Sequence, residues 1–220
     1  MSLTSSFLSL FSMKFLVKTP WLLKKIFPNY LWSINTKAKE LYLTFDDGPH
    51  PLATPFVLQQ LKKFNALATF FCIGKNVVAH QDIYKKILEG GHSVGNHTFN
   101  HLNGWKTKDE IYLKDVAEAS NYIDSNLFRP PYGRITSFQA KNLMPVMKGK
   151  KPTIVMWDIL SADFVTSLTA EKCMENVVLR SVPGSIIVFH DSEKAFPRLE
   201  YALPRVLQHF TEKGFVFRSL

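Results

Sequence analysis

Two aspartates stand side by side at the end of a strand-like run, in Leu41-Tyr42-Leu43-Thr44-Phe45-Asp46-Asp47-Gly48-Pro49. Adjacent carboxylates repel, so a fold gains from the pairing only where one holds a cation or one takes up a proton. Gly48-Pro49 ends the run and turns the chain. The pair therefore belongs at the lip of a sheet, where α/β folds keep their chemistry.

Four more polar clusters follow. Gly95-Asn96-His97-Thr98-Phe99-Asn100-His101 places two histidines four apart. On a helical backbone they share a face and can share a metal, and a carboxylate completes the set with a position left for water. Two exposed loop histidines explain the same spacing without a metal. Phe128-Arg129-Pro130-Pro131-Tyr132-Gly133 is a stiff segment that can hold an arginine against a carboxylate and aim a backbone N–H at a substrate oxygen. It also reads as an ordinary proline turn. Trp157-Asp158-Ile159-Leu160-Ser161-Ala162-Asp163-Phe164 follows another apolar run, and Ile186-Ile187-Val188-Phe189-His190-Asp191 ends a buried strand in a histidine. That histidine suits acid–base work if a carboxylate orients it, and otherwise is a satisfied strand end. Each cluster alone is explicable as structure. Five at successive strand ends of one domain are much harder to explain that way.

The elements that must position them alternate. Strands are predicted at 41–45, 68–73, 92–94, 153–157, 185–189 and 215–217. Between them lie helical stretches: one capped by Thr54 with Pro55 at its first position and running to Phe64, one over 76–89 ending at Gly90-Gly91, and one over 108–126. A fourth is capped by Thr169 and runs to Arg180, and the last covers 197–210. Strand–helix alternation implies a parallel sheet, open or closed into a barrel, in a single α/β domain.

Composition bounds the partners. The 220 residues are 46% hydrophobic, enough for one substantial core. A net charge of +9 favours an anionic polymer, an anionic membrane or merely a solvated lysine-rich surface. Arginine-rich runs and nucleic-acid motifs are absent, so no nucleic-acid partner is expected. Cys72 and Cys173 have no metal-type spacing and form no disulfide framework; Cys72 reads as a small buried hydrophobe. Residues 1–39 are set apart as a basic, aromatic extension from the main domain, 40–220. Met1 to Phe15 lacks a basic start and a clean cleavage site, so a secretory signal is not convincing, and Met13 is an alternative start. No apolar stretch reaches the length of a membrane span. Residues 15–32 either pack their aromatics on the domain or make peripheral contact with a membrane or cell wall through Lys18, Lys24 and Lys25. The expected compartment is the cytoplasm or the cell envelope.

In this order the segments resemble the polysaccharide deacetylases of carbohydrate esterase family four, the NodB-homology domain. Thr44-Phe45-Asp46-Asp47-Gly48-Pro49 looks like the first motif at every position, His97-Thr98-Phe99-Asn100-His101 like the second, and Arg129-Pro130-Pro131-Tyr132-Gly133 like the third. Asp163-Phe164 takes the place of the fourth, Val188-Phe189-His190 that of the fifth, and Ala68-Thr69-Phe70-Phe71 resembles a family strand. The likeness runs from about residue 40 to the C-terminus.

The resemblance implies an irregular (β/α) barrel with fewer than eight regular strands. It implies metal-dependent removal of N-acetyl groups from amino-sugar chains of the peptidoglycan or chitin type. By the match, Asp47, His97 and His101 bind one divalent metal ion, zinc in most members, whose open positions take water and the acetyl carbonyl. Asp46 is the general base, held by Arg129. The N–H of Tyr132 joins the metal at the oxyanion. His190 protonates the leaving amine, with Asp163 setting its charge and tautomer. Pro130, Trp157, Phe164 and Val188 line the substrate site with Tyr132. The chemistry agrees, since zinc lowers the pKa of bound water to roughly 7, and an amine must gain a proton as it leaves.

The chain departs from the family in places. Members often read Asp-Ser-x-Asp-Trp in the fourth motif; here Leu160 precedes Ser161, Phe164 stands for Trp, and Val188 replaces Leu. Phe164 and Val188 still offer an apolar wall for an acetyl methyl, and Asp158 is the candidate to restore lost polarity. Two alternatives are an O-acetyl esterase on xylan-like glycan and a silent glycan-binding module. The intact Asp46, Asp47, His97, His101 and His190 argue against the second.

Overall fold

The aspartate pair lies at the end of the central strand β1 (Glu40–Asp46), which is buried along nearly its whole length in the computed structural model. The structure describes residues 16–220. A strand covered on both faces reads as a continuous apolar run and belongs in parallel sheet. β1 is parallel to β2 (Ala68–Cys72) on one side and to β7 (Ile186–His190) on the other. Beyond β2 come β3 (Ser93–Asn96), β4 (Leu127–Phe128) and β5 (Thr153–Ile154); beyond β7 comes β6 (Ile159–Leu160). All these pairings are parallel, and β8 (Val216–Phe217) adds to the start of β1. The result is a curled, incomplete (β/α) barrel with fewer than eight regular strands, as the motifs implied. β4 and β6 were not expected from the sequence; two residues carry no periodicity to read.

The two-residue period of a strand sorts its side chains. Leu43 and Phe45 of β1, Phe70 of β2, and Ile187 and Phe189 of β7 point outward into the main core. There they meet Val57 and Leu61 of α2 (Ala53–Lys63) and Leu199, Leu203 and Val206 of α9 (Phe196–Glu212). The alternate row, Thr44 and Asp46 of β1 with Val188 and His190 of β7, points into the barrel, and the register sets Asp46 beside His190. Each fully buried Leu or Phe contributes about 1.5–3 kcal/mol, so a one-residue slip that exposed them is disfavoured, and the inward row is held in place.

Several helices differ from expectation. Thr54 does not cap α2: Leu52 precedes the helix with no side-chain cap, and Pro55 is its third residue, not its first. The 76–89 stretch is two helices, α3 (Gly74–Ala79) and α4 (Gln81–Glu89), broken at His80. The 108–126 stretch is helical only over α5 (Asp109–Ala119). Short α6 (Ser137–Lys141) and α7 (Leu143–Val146) follow, and α6 carries a capping box of Thr136 and Gln139. Thr169 caps α8 (Ala170–Val178) as expected, accepting from the Lys172 N–H at 3.2 Å.

Residues 17–34 close the seam between β5 and β6. Lys18 bridges Ile159, Leu31 bridges Val155 and Ser33 bridges Ser185. Trp32 is buried beside Tyr112 and Met156. Between these contacts, α1 (Trp21–Ile26) buries no residue of its own. Lys24 ties it inward through Asp158 at 2.6 Å, while Trp21, Leu22 and Ile26 stay exposed, open to the peripheral contact expected of this segment. The serine-rich lead and the alternative start at Met13 lie outside the described residues. Among the described residues no helix is long and apolar enough to cross a membrane.

Candidate active site

Arg129 is the hub. It is fully buried, and its guanidinium crosses the barrel to donate from Nη1 to Asp46 Oδ1 at 2.6 Å and to Thr44 Oγ1 at 2.7 Å. Nη2 donates to the Met156 carbonyl at 2.8 Å and Nε to that of Val155 at 3.2 Å. The Phe71 ring lies 4.1 Å beneath it. A buried guanidinium is tolerable only when its donors are satisfied and its charge is paired. Both conditions hold, and together they fix Asp46 in one orientation.

The same residue orients the next group. The Arg129 carbonyl lies 2.7 Å from His97 Nδ1 and accepts its proton, which leaves the Nε2 lone pair free. Burial pushes the His97 ring down to about 4, with Asp46, Asp47 and the Arg129 carbonyl pulling the other way, so it is neutral near pH 7. His97 Nε2 is 3.8 Å and His101 Nε2 3.2 Å from Asp47 Oδ1. No helix joins the histidines: Thr98 and His101 take left-handed φ of 63° and 59°, which fold the loop so that the rings converge. Asp47, just past the strand, also has a left-handed φ of 82° and swings its carboxylate toward them. Burial alone would raise the Asp47 carboxyl; the His101 ring and the charge of His190 outweigh it and hold it well below the usual range.

One carboxylate and two imidazole donors, all within 4.8 Å of one another, suit a divalent cation. Asp47 Oδ1 is buried and accepts no hydrogen bond, although it faces two ring nitrogens. A cation among the three atoms supplies the missing partner. The residues therefore fit the metal.

His190 ends the neighbouring strand β7, in register with Asp46. Asp163, fully buried, accepts its backbone N–H at 2.7 Å and its ring Nδ1–H at 2.7 Å. Burial alone would lower His190, but the charge and hydrogen bond of Asp163, with Asp47 and Asp46 further off, push it up to about 9. Arg198 donates to the Asp163 carbonyl at 2.5 Å, and Ala162 before it takes a φ of 64°. One carboxylate is thus held by an arginine, one faces the ring nitrogens of His97 and His101, and a charged histidine stands by.

The polysaccharide deacetylase family profile matches residues 33–144. The chain is 31% identical to a peptidoglycan-N-acetylglucosamine deacetylase of Bacillus cereus over 191 residues, 84% of this chain and 88% of that one. This chain belongs to the polysaccharide deacetylase family. It is also 33% identical to a chitooligosaccharide deacetylase of Azorhizobium caulinodans, over 72% of this chain and 76% of that one. A crystal structure of a peptidoglycan N-acetylglucosamine deacetylase superposes with a TM-score of 0.81 at 30% identity, covering 92% of this chain and 95% of that one.

In this member of the family the other expected site residues are distributed unevenly. Tyr132 takes a φ of 60° and sets its ring 4.7 Å from that of His101. Pro130 is buried behind it and accepts from the Gly133 N–H at 2.9 Å. Trp157 braces this turn: a Cβ on Gly133 would come within 2.8 Å of its ring. Phe164 stands edge-on to His190, ring centres 5.0 Å apart. Val188 belongs to the inward row but is only 1% exposed, whereas Phe164 is half-buried. Asp158 does not restore polarity to the site. It is engaged by Lys24 and by Ser185 Oγ at 2.6 Å each, and it holds the N-terminal stretch instead.

Three supports have no role in the sequence reading. Asp191 is fully buried and accepts from the Gly48 N–H at 3.1 Å and the Thr54 hydroxyl at 2.5 Å. A Cβ on Gly48 would lie 2.1 Å from its carboxylate, so only glycine fits there. Burial pushes Asp191 up to about 8, even against its bond to Thr54. Asn76 donates to the Asp47 carbonyl at 2.7 Å. Asp115 accepts from the Phe99 and Asn100 N–H groups at 2.8 and 2.9 Å and shapes the histidine loop. The position of Asp191 directly after His190 was a signal; the reach of Asn76 and Asp115 had none.

Proposed function

We propose that this glycan deacetylase removes N-acetyl groups from amino-sugar chains of the peptidoglycan or chitin type, with one zinc-class cation held by Asp47, His97 and His101. The observation that carries the reading is the separation of duties around one hole. The metal-fit trio, an arginine-held carboxylate and a protonated histidine are gathered from the ends of β1, β3 and β7. A bound divalent cation supplies an acidic water and polarises the acetyl carbonyl.

The rest is done by the chain. Asp46, fixed by Arg129, takes the proton of the attacking water. The turn at Tyr132 aims its N–H at the developing oxyanion. His190 enters charged because of Asp163 and gives its proton to the leaving amine, while Phe164 walls the acetyl methyl. Base and acid are distinct groups, as a poor leaving group requires.

The test is acetate release from defined N-acetylglucosamine oligomers and from acetylated xylan, before and after chelation and zinc return. Release from the amino-sugar oligomers, lost with chelator and recovered with zinc, is expected. Release from xylan alone would make the protein an O-acetyl esterase. No release from either, with oligomer binding intact, would make it a silent binding module.

A further inference from the structure

We propose that Trp105 is a stacking platform for a sugar ring of the glycan beyond the one whose acetyl group is cleaved. This rests on the glycan deacetylase reading. Trp105 is 61% exposed and joins none of the apolar clusters among the described residues. It is nonetheless fixed. Its Nε1 donates to the Ile135 carbonyl at 3.0 Å, its backbone N–H to Asn103 Oδ1 at 3.0 Å, and the Arg134 guanidinium lies 4.0 Å from its ring centre.

The loops that carry it are knit together. The Gly104 N–H donates to the Arg134 carbonyl at 3.2 Å, and Gln139 Nε2 donates to the Gly104 carbonyl at 2.9 Å. A Cβ on Gly104 would come within 2.5 Å of the Arg134 carbonyl, so the approach requires glycine. Arg134 stacks on the ring and the N–H edge is bonded, yet most of the residue stays open to solvent. A rigid, open indole face is a poor way to hold a loop and a good way to receive a ring. The C–H groups on a pyranose face are weakly positive and meet the negative face of the aromatic quadrupole, and pre-fixing the side chain lowers the entropy lost on binding.

Its place ties it to the reaction. Tyr132, also 61% exposed, touches His101 at the cation site, and Arg134 stacks on Trp105 two residues later. Trp105 itself follows His101 by four residues, which span at most about 14 Å. A short oligosaccharide with one acetyl group at the trio reaches that far.

The test uses zinc-loaded wild type, Trp105→Ala and Trp105→Phe. Acetate release is measured on an N-acetylglucosamine tetramer and on the shortest oligomer the wild type deacetylates, with calorimetric binding of the tetramer alongside. Trp105→Ala is expected to raise KM for the tetramer about tenfold with kcat kept, to leave the short substrate unchanged, and to be largely rescued by Phe. Equal losses on both substrates, or no loss on the tetramer, would overturn the proposal. If wild type releases no acetate yet tetramer binding still depends on Trp105, the reaction reading fails and the platform stands. If acetate is released and Trp105→Ala alters neither KM nor binding, the platform fails alone. If wild type neither binds nor cleaves, both fail.

Discussion

At the scale of single residues the site works by opposing environments. His97 and His190 are both buried imidazoles, yet one is pushed down to about 4 and the other up to about 9. The difference is the partner: a backbone carbonyl for His97, a buried carboxylate for His190. His190 therefore keeps its proton through neutral pH, and kcat/KM should hold until pH approaches 9, then fall as that proton is lost. Asp163→Asn removes the charge that opposes burial, so the alkaline limb should move to lower pH; an unmoved limb would mean that another group sets it. The same shift bears on stability. The folded pKa exceeds the unfolded value of roughly 6.5, so the stabilisation is full below that and is lost as pH rises through the folded value. Arg129 was legible as the residue that holds Asp46, but nothing in its motif told that its carbonyl also orients His97. That double use depends on a segment passing between two strand ends.

At the scale of elements, the chemistry depends on how chain leaves each strand. Asp47, Thr98, His101, Tyr132 and Ala162 all have left-handed φ values, and all sit where a strand or motif turns into the site. Such conformations cost about 1–3 kcal/mol each and persist only where the surroundings over-determine them. Asp191 is one such surrounding for the Asp47 turn. Asp191→Ala leaves the Gly48 N–H and Thr54 hydroxyl without their partner, and should destabilise the fold by about 2–4 kcal/mol and weaken zinc binding. Asp191→Asn can serve both groups and should restore most of each, since burial already favours the uncharged acid. Denaturant midpoints and zinc titration decide; equal losses for Ala and Asn would show that charge, not shape, is needed there. The long strands were readable because β1, β2 and β7 are apolar runs buried on both faces. The histidine spacing picked out a pair whose rings do converge, but through a different backbone, because a helical repeat and a pair of left-handed turns both bring i and i+4 together. Thr54 looked like a helix cap by type and place, yet its hydroxyl is taken by Asp191 just past the neighbouring strand β7.

At the scale of the molecule, a barrel with too few strands needs its seam covered, and residues 17–34 do that. Trp32 supplies apolar bulk and Asp158 the polar tie. Trp32→Ala should lower stability by about 3–5 kcal/mol, whereas Trp21→Ala on the exposed helix should change it by less than about 0.5 kcal/mol. Equal effects in urea unfolding would mean that the stretch is an attachment and not part of the wall. The extension could be marked off by composition, but its role could not, because edge pairing of isolated residues leaves no pattern. Closing the barrel brings into one hole groups that are far apart in sequence, and the central claim is that the adjacent aspartates divide the labour there. Asp47 faces the histidines, and Asp46 is held away from them by Arg129. The most direct test is zinc stoichiometry measured together with acetate release in Asp46→Asn and Asp47→Asn. Asp46→Asn should retain one zinc per chain and lose turnover by about 10²-fold or more, while Asp47→Asn should lose both. Loss of zinc in Asp46→Asn, or full zinc in Asp47→Asn, would contradict the division.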